Sequence, residues 1–138
     1  MDFVPELSPE EAQELKRLLA SLSERAKYPL SLNDLLERWK NFVHQVEQGY
    51  QHSIYEYTND LSTRDLLEEI LLGVPSALHD KLANIIAPPD KRFFDSTLEV
   101  ARPLLQGIDG ESPNAWWLRV PKKLTEQLEE DLRSEQII

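Results

Sequence analysis

The sequence predicts a mainly α-helical protein: a single-domain bundle spanning residues 1–138, with five to six helices around one long amphipathic helix and a short strand or hairpin near 104–120. Three observations predict it. Apolar residues recur every three or four positions over most of the chain, the period of a helix with one buried face. Serines, prolines and acidic residues stand where those runs begin, as helix starts require. Only around Gly107, Gly110 and Pro113 does the chain turn into polar loop, and the aromatic run Trp116-Trp117-Leu118-Arg119-Val120 follows. A chain of 138 residues is the usual size of one domain, and it contains no internal repeat or linker that divides it.

The first helix opens at Ser8, a capping hydroxyl, with Pro9 at the first helical position and Glu10 and Glu11 at the positive end of the helix dipole. Leu15, Leu18, Leu19, Leu22 and Ala26 share its inner face, and Tyr28-Pro29 ends it. Ser31 or Asn33 caps the second, whose apolar positions run Leu32, Leu35, Leu36, Trp39, Val43, Val46, Tyr50, Ile54, Tyr57 and Leu61. That spacing predicts one continuous helix of about eight turns, with Gly49 as the place for a kink.

Ser62-Thr63-Arg64-Asp65 then reads as the cap of a third helix carrying Leu66, Leu67, Ile70, Leu71 and Val74, which ends over Gly73 to Pro75. Ser76 starts a fourth, bearing Leu78, Leu82, Ile85 and Ile86, which Pro88-Pro89 terminates; Asp90 opens a fifth with Phe93, Phe94, Leu98 and Ala101. Trp116 to Val120 reads as a strand for which Leu104 to Ile108 is the expected partner. Pro121 begins the last helix, where Leu124, Leu128 and Leu132 are spaced four apart.

Composition removes whole classes of function. With no cysteine there is no disulfide, thiolate metal site or cysteine nucleophile. Met1 to Glu14 has neither a basic start nor an apolar run, so it does not read as a signal peptide, and no stretch approaches the ~20 apolar residues of a membrane span. The expectation is a cytoplasmic protein with no membrane contact. Lys plus Arg number 15 against 25 Asp plus Glu, and a net charge of −10 repels nucleic acid and anionic lipid while attracting a basic protein.

Catalytic motifs are missing too. There is no glycine-flanked serine elbow, phosphate-cradling glycine loop or dinucleotide fingerprint. Glu68-Glu69 and Glu129-Glu130 fall on the watery sides of their helices, where nothing tunes them for acid and base work. His44 and His52, with Glu56 four residues after His52, are the weak metal candidates; the two histidines are about 80° apart around a helix, and no second motif completes a bundle site. The expectation is no enzyme, no cofactor and no metal. Leu118-Arg119-Val120-Pro121-Lys122-Lys123-Leu124, followed by Leu128, resembles the strand and first helix of ribbon-helix-helix DNA-binding proteins, a family that includes many antitoxins. That resemblance covers roughly 17 residues, and the −10 charge argues against DNA as the partner.

One surface calls for more than folding. Projected at about 100° per residue, Tyr50, Ile54 and Tyr57 follow the apolar stripe while Tyr55 lies opposite, with His44, Gln48, His52 and Asn59. Glu56, Asp60, Asp65, Glu68 and Glu69 border it, and an exposed ring among acids suits a basic protein partner. Trp116 and Trp117 form a second candidate, because neighbours on a strand face opposite ways and only one enters the core. The expected function is a non-enzymatic protein-binding module, an acidic inhibitor of immunity-protein, antitoxin or adaptor type that masks a basic protein. The alternative is a homo-oligomeric structural or scaffold subunit, a homodimer for instance; a small metal-dependent helical enzyme ranks third.

Overall fold

Serine hydroxyls open the first three helices. Ser8 Oγ accepts from the Glu11 N–H at 3.2 Å while Glu11 Oε1 accepts from the Ser8 N–H at 2.9 Å, a complete capping box. Ser31 and Ser53 cap their helices through the N–H groups of Asp34 and Glu56. The computed structural model describes residues 7–99 and 116–135. Within them the order is α1 (Pro9–Ala26), α2 (Leu32–Gln48), α3 (Ile54–Gly73), α4 (Ser76–Asp95), β1 (Thr97–Leu98), β2 (Val120–Pro121) and α5 (Glu126–Ser134). The fold is mainly helical, five helices and one two-stranded antiparallel ribbon, as the apolar period requires.

α2 is the centre. Leu32, Leu35, Leu36, Trp39, Phe42, Val43 and Val46 are all buried, and the helix packs against both α3 and α4; α1 and α5 cover α3. An aromatic group fills the middle: Phe42 lies 5.7 Å from Trp39, 5.4 Å from Tyr57 and 5.5 Å from Tyr50 between ring centroids, and Phe93 of α4 stands 5.1 Å from Trp39. Tilted and edge-on rings at these spacings add to what their area alone contributes.

The long second helix of the sequence reading is two helices. Gly49 adopts φ 109 and ψ 100, the chain reverses, and Ser53 caps α3. Tyr50 bridges to Leu124 and its carbonyl accepts from Thr125 Oγ1 at 2.5 Å, so the turn is anchored against the chain leading into α5. Apolar periodicity survives because the five residues between the helices keep Ile54, Tyr57 and Leu61 in phase with the core. Phase records which face is buried and is silent on direction.

Three further boundaries differ. Ser62 and Thr63 lie inside α3, where Ser62 Oγ donates back to the Asn59 carbonyl. α4 runs through Pro88 and Pro89 to Asp95, because Asp90 and Phe93, just past the prolines, are held by Arg64, Trp39 and Phe42. Tertiary contacts there outweigh a break that costs about 3 kcal/mol in an isolated helix. Trp116 to Arg119, read as strand, are turn and irregular chain; only Val120 and Pro121 form β2, and α5 starts only after Thr125. Val120 pairs with Leu98 and Pro121 with Thr97, so β2 takes its partner from the chain after α4; Leu104 to Ile108 lie outside the described residues. No helix among the described residues is long and apolar enough to cross a membrane.

Candidate functional site

The acids that border Tyr55 in sequence divide into two groups in space, and a buried arginine divides them. α3 carries Arg64 inward on the same stripe as Tyr57, Leu61 and Leu67, and it is only 3% exposed. Its Nε and Nη2 donate to Oδ1 and Oδ2 of Asp90 at 2.9 Å each, the planar fork meeting a carboxylate, and Nη1 donates to Glu68 Oε1 at 3.1 Å. The guanidinium lies 4.7 Å from the Trp117 ring centroid.

Two indoles complete the network. Trp39 Nε1 donates to Asp90 Oδ1 at 2.9 Å, and Trp117 Nε1 donates to Asp65 Oδ1 at 2.8 Å. Burial pushes the Asp90 carboxyl up from its ordinary value, against the opposing pull of Arg64 and the Trp39 hydrogen bond. Among the described residues no buried side-chain polar atom lacks a partner. The network therefore joins α2, α3, α4 and the chain before β2 through one satisfied set of charges, and its acids are engaged in holding the fold.

Asp65 and Glu68 thus face inward. Asp60 accepts from the Tyr50 hydroxyl at 2.5 Å, and burial together with that carboxylate drives the Tyr50 phenol far above its usual range. Glu69 pairs with Arg25 of α1. Trp117 is completely buried, whereas Trp116 is 38% exposed.

Tyr55 and Glu56 remain on the outside. The Tyr55 ring is 66% exposed, and Glu56 pairs with the likewise exposed His52, Nδ1 to Oε2 at 3.0 Å. The first turn of α3 is tied to α5 by the Ile54 N–H, which donates to Asp131 Oδ2 at 3.0 Å. Asp131 in turn lines a shallow groove with Gln51, Thr125, Glu126, Gln127 and Glu130. Sequence reasoning missed Glu126 and Glu130 as site residues, although the Leu124, Leu128, Leu132 stripe already turned them outward.

A second exposed patch adjoins the ribbon. Phe94 and Leu98 are about half exposed, Trp116 lies 6.3 Å from Phe94 between centroids, and the Arg119 guanidinium stacks 4.2 Å above the Phe94 ring. The histidines stand apart: His44 is exposed on α2, His52 is with Glu56, and His79 Nδ1 lies 2.8 Å from the Leu71 carbonyl. Among the described residues no three histidine, aspartate or glutamate side chains gather as metal ligands.

Comparison with protein-family models, with curated proteins and with solved structures finds no match to the chain.

Proposed function

We propose that the chain is a protein-binding module that docks a basic protein surface and masks it, in the manner of an acidic inhibitor, immunity protein, antitoxin or adaptor. One observation carries the reading: Tyr55 stands exposed beside Glu56, at the end of the bundle where α3 is tied to the acidic groove of Glu126 and Glu130. A tyrosine supplies rigid contact area of the kind that dominates binding energy, and surrounding carboxylates steer a basic partner and reject acidic ones. The net charge of −10 acts in the same direction over longer range. Absence of cysteine supports a reducing, cytoplasmic setting, and nothing in the reading calls for catalysis.

The test is recovery of a partner from the source cells at low salt by three forms of the chain. The unaltered chain and a control with Glu10→Lys and Glu14→Lys, on the first turns of α1, are expected to recover the same basic protein. Tyr55→Ala with Glu56→Lys is expected to lose it while keeping its helical circular dichroism. Equal recovery by all three forms contradicts the reading.

The Phe94, Leu98 and Trp116 patch favours the second reading, a homo-oligomeric subunit. Sedimentation separates the two. A dimer that Trp116→Ser dissolves supports self-assembly through the patch, and a monomer at all concentrations removes it.

A further inference from the structure

Between α2 and α3 lies a cavity of about 360 Å³. α2 contributes Arg38, Asn41 and Gln45, one turn apart; α3 contributes Asn59, Asp60 and Thr63. Phe42 and Leu66 form its apolar lining.

Arg38 is the unusual member. The other described arginines are all engaged: Arg17, Arg25, Arg64, Arg92 and Arg133 hold carboxylates, and Arg119 donates to Thr97. Arg38 forms no hydrogen bond or ion pair with any described residue, although the chain carries ten more acids than bases. The side chains of Asn41, Gln45, Asn59 and Thr63 are likewise without a hydrogen-bond partner among the described residues. Across the cavity Asp60 is oriented by Tyr50, whose hydroxyl bonds Oδ2 and leaves Oδ1 without a partner among the described residues. Burial keeps Tyr50 a phenol, so the hydrogen bond runs only from Tyr50 to the carboxylate.

A guanidinium and a carboxylate thus line one small cavity without pairing with each other. A simple anion is opposed by the field of an acidic protein and by Asp60, and a simple cation is opposed by Arg38. A molecule carrying both charges meets neither objection. We infer that this cavity binds a small zwitterion with an apolar body, an α-amino acid or a dipeptide, its carboxylate on Arg38 and its ammonium on Asp60. Amide and hydroxyl groups of Asn41, Gln45, Asn59 and Thr63 then complete the hydrogen bonds of the charged ends, and Phe42 and Leu66 meet the apolar part. The volume is at the low end of the roughly 300–1,000 Å³ that small-molecule sites occupy. The inference is independent of the partner surface around Tyr55.

The test is an amide NMR titration of the full chain with L-leucine, L-phenylalanine and glycylleucine, beside N-acetylleucine, which keeps only the carboxylate, and leucinamide, which keeps only the ammonium. Expected are saturable shifts at Arg38, Gln45, Asn59 and Thr63 with at least one zwitterion, and affinities weaker by at least about tenfold for both single-charge derivatives. Arg38→Gln, at an exposed position, is expected to weaken the zwitterion by a similar factor with its folded spectrum otherwise intact; Asp60→Asn gives the same loss from the other charge. The inference is overturned if no zwitterion produces a saturable shift at about 10 mM, if either single-charge derivative binds as well as leucine, or if Arg38→Gln leaves the affinity unchanged.

Discussion

Arg64 shows how one side chain determines what its neighbours are free to do. It is buried, it forks onto Asp90, and it draws Glu68 inward, so removing it leaves two largely buried carboxylates without their counter-charge. Arg64→Ala is expected to cost about 3–5 kcal/mol in urea denaturation, the range for breaking one partner out of a buried pair. Arg64→Lys is expected to fall short of restoring it, because an ammonium cannot make the two parallel bonds of the fork. The sequence did carry a sign of this residue: Arg64 is in phase with Tyr57, Leu61 and Leu67, where a charge must find partners. Its reading as part of a cap hid that sign. Tyr50 and Tyr57 give a second test at the same scale, since burial raises both phenols above 10.0. Above that pH the folded chain holds protons the unfolded chain has lost, so stability falls as pH rises past 10.0. The tyrosinate absorbance that Tyr50→Phe with Tyr57→Phe removes is therefore expected to appear only as helical circular dichroism is lost; its appearance in the folded chain contradicts the burial.

At the level of helices and turns, local chemistry placed the first two starts and the stops at Ala26 and Gly73, and it misplaced the boundaries that distant contacts decide. Ser8 and Ser31 cap where the sequence places caps, because hydroxyl, spacing and following acids are all local features. The reversal at Gly49 was legible only as a weak point, since a glycine inside a continuous period reads equally as a kink or a turn. What decides between them is the Tyr50 bridge to Leu124, a contact across more than seventy residues. Gly49→Ala is expected to destabilise the fold by about 1–3 kcal/mol, because an L-residue is strained at its φ of 109 and its Cβ would meet Thr125 at 3.4 Å. Ser53→Ala is expected to cost about 1 kcal/mol through the lost α3 cap. Thermal unfolding of the two variants checks both values. The prolines of α4 are the reverse case: a correct local rule that Asp90 and Phe93 overrule from the core.

Across the whole molecule, net charge matters less than how the charge is divided. Asp65, Glu68 and Asp90 serve the interior, whereas Glu56, Glu126 and Glu130 are exposed near Tyr55 or in the groove beside it. The position of Tyr55 was readable by projection onto a helix. The fate of its acidic neighbours was not, because their partners are distant in sequence, Trp117 lying 52 residues from Asp65 and Arg25 lying 44 from Glu69. The most direct measurement takes two variants side by side and records partner affinity and thermal midpoint for each. Glu56→Gln with Glu126→Gln and Glu130→Gln is expected to weaken partner binding at least about tenfold and to leave the midpoint unchanged; Asp65→Asn with Glu68→Gln is expected to lower the midpoint and, while folded, to keep the affinity. Loss of affinity from the inner pair alone, with the outer three indifferent, would contradict the docking surface proposed around Tyr55.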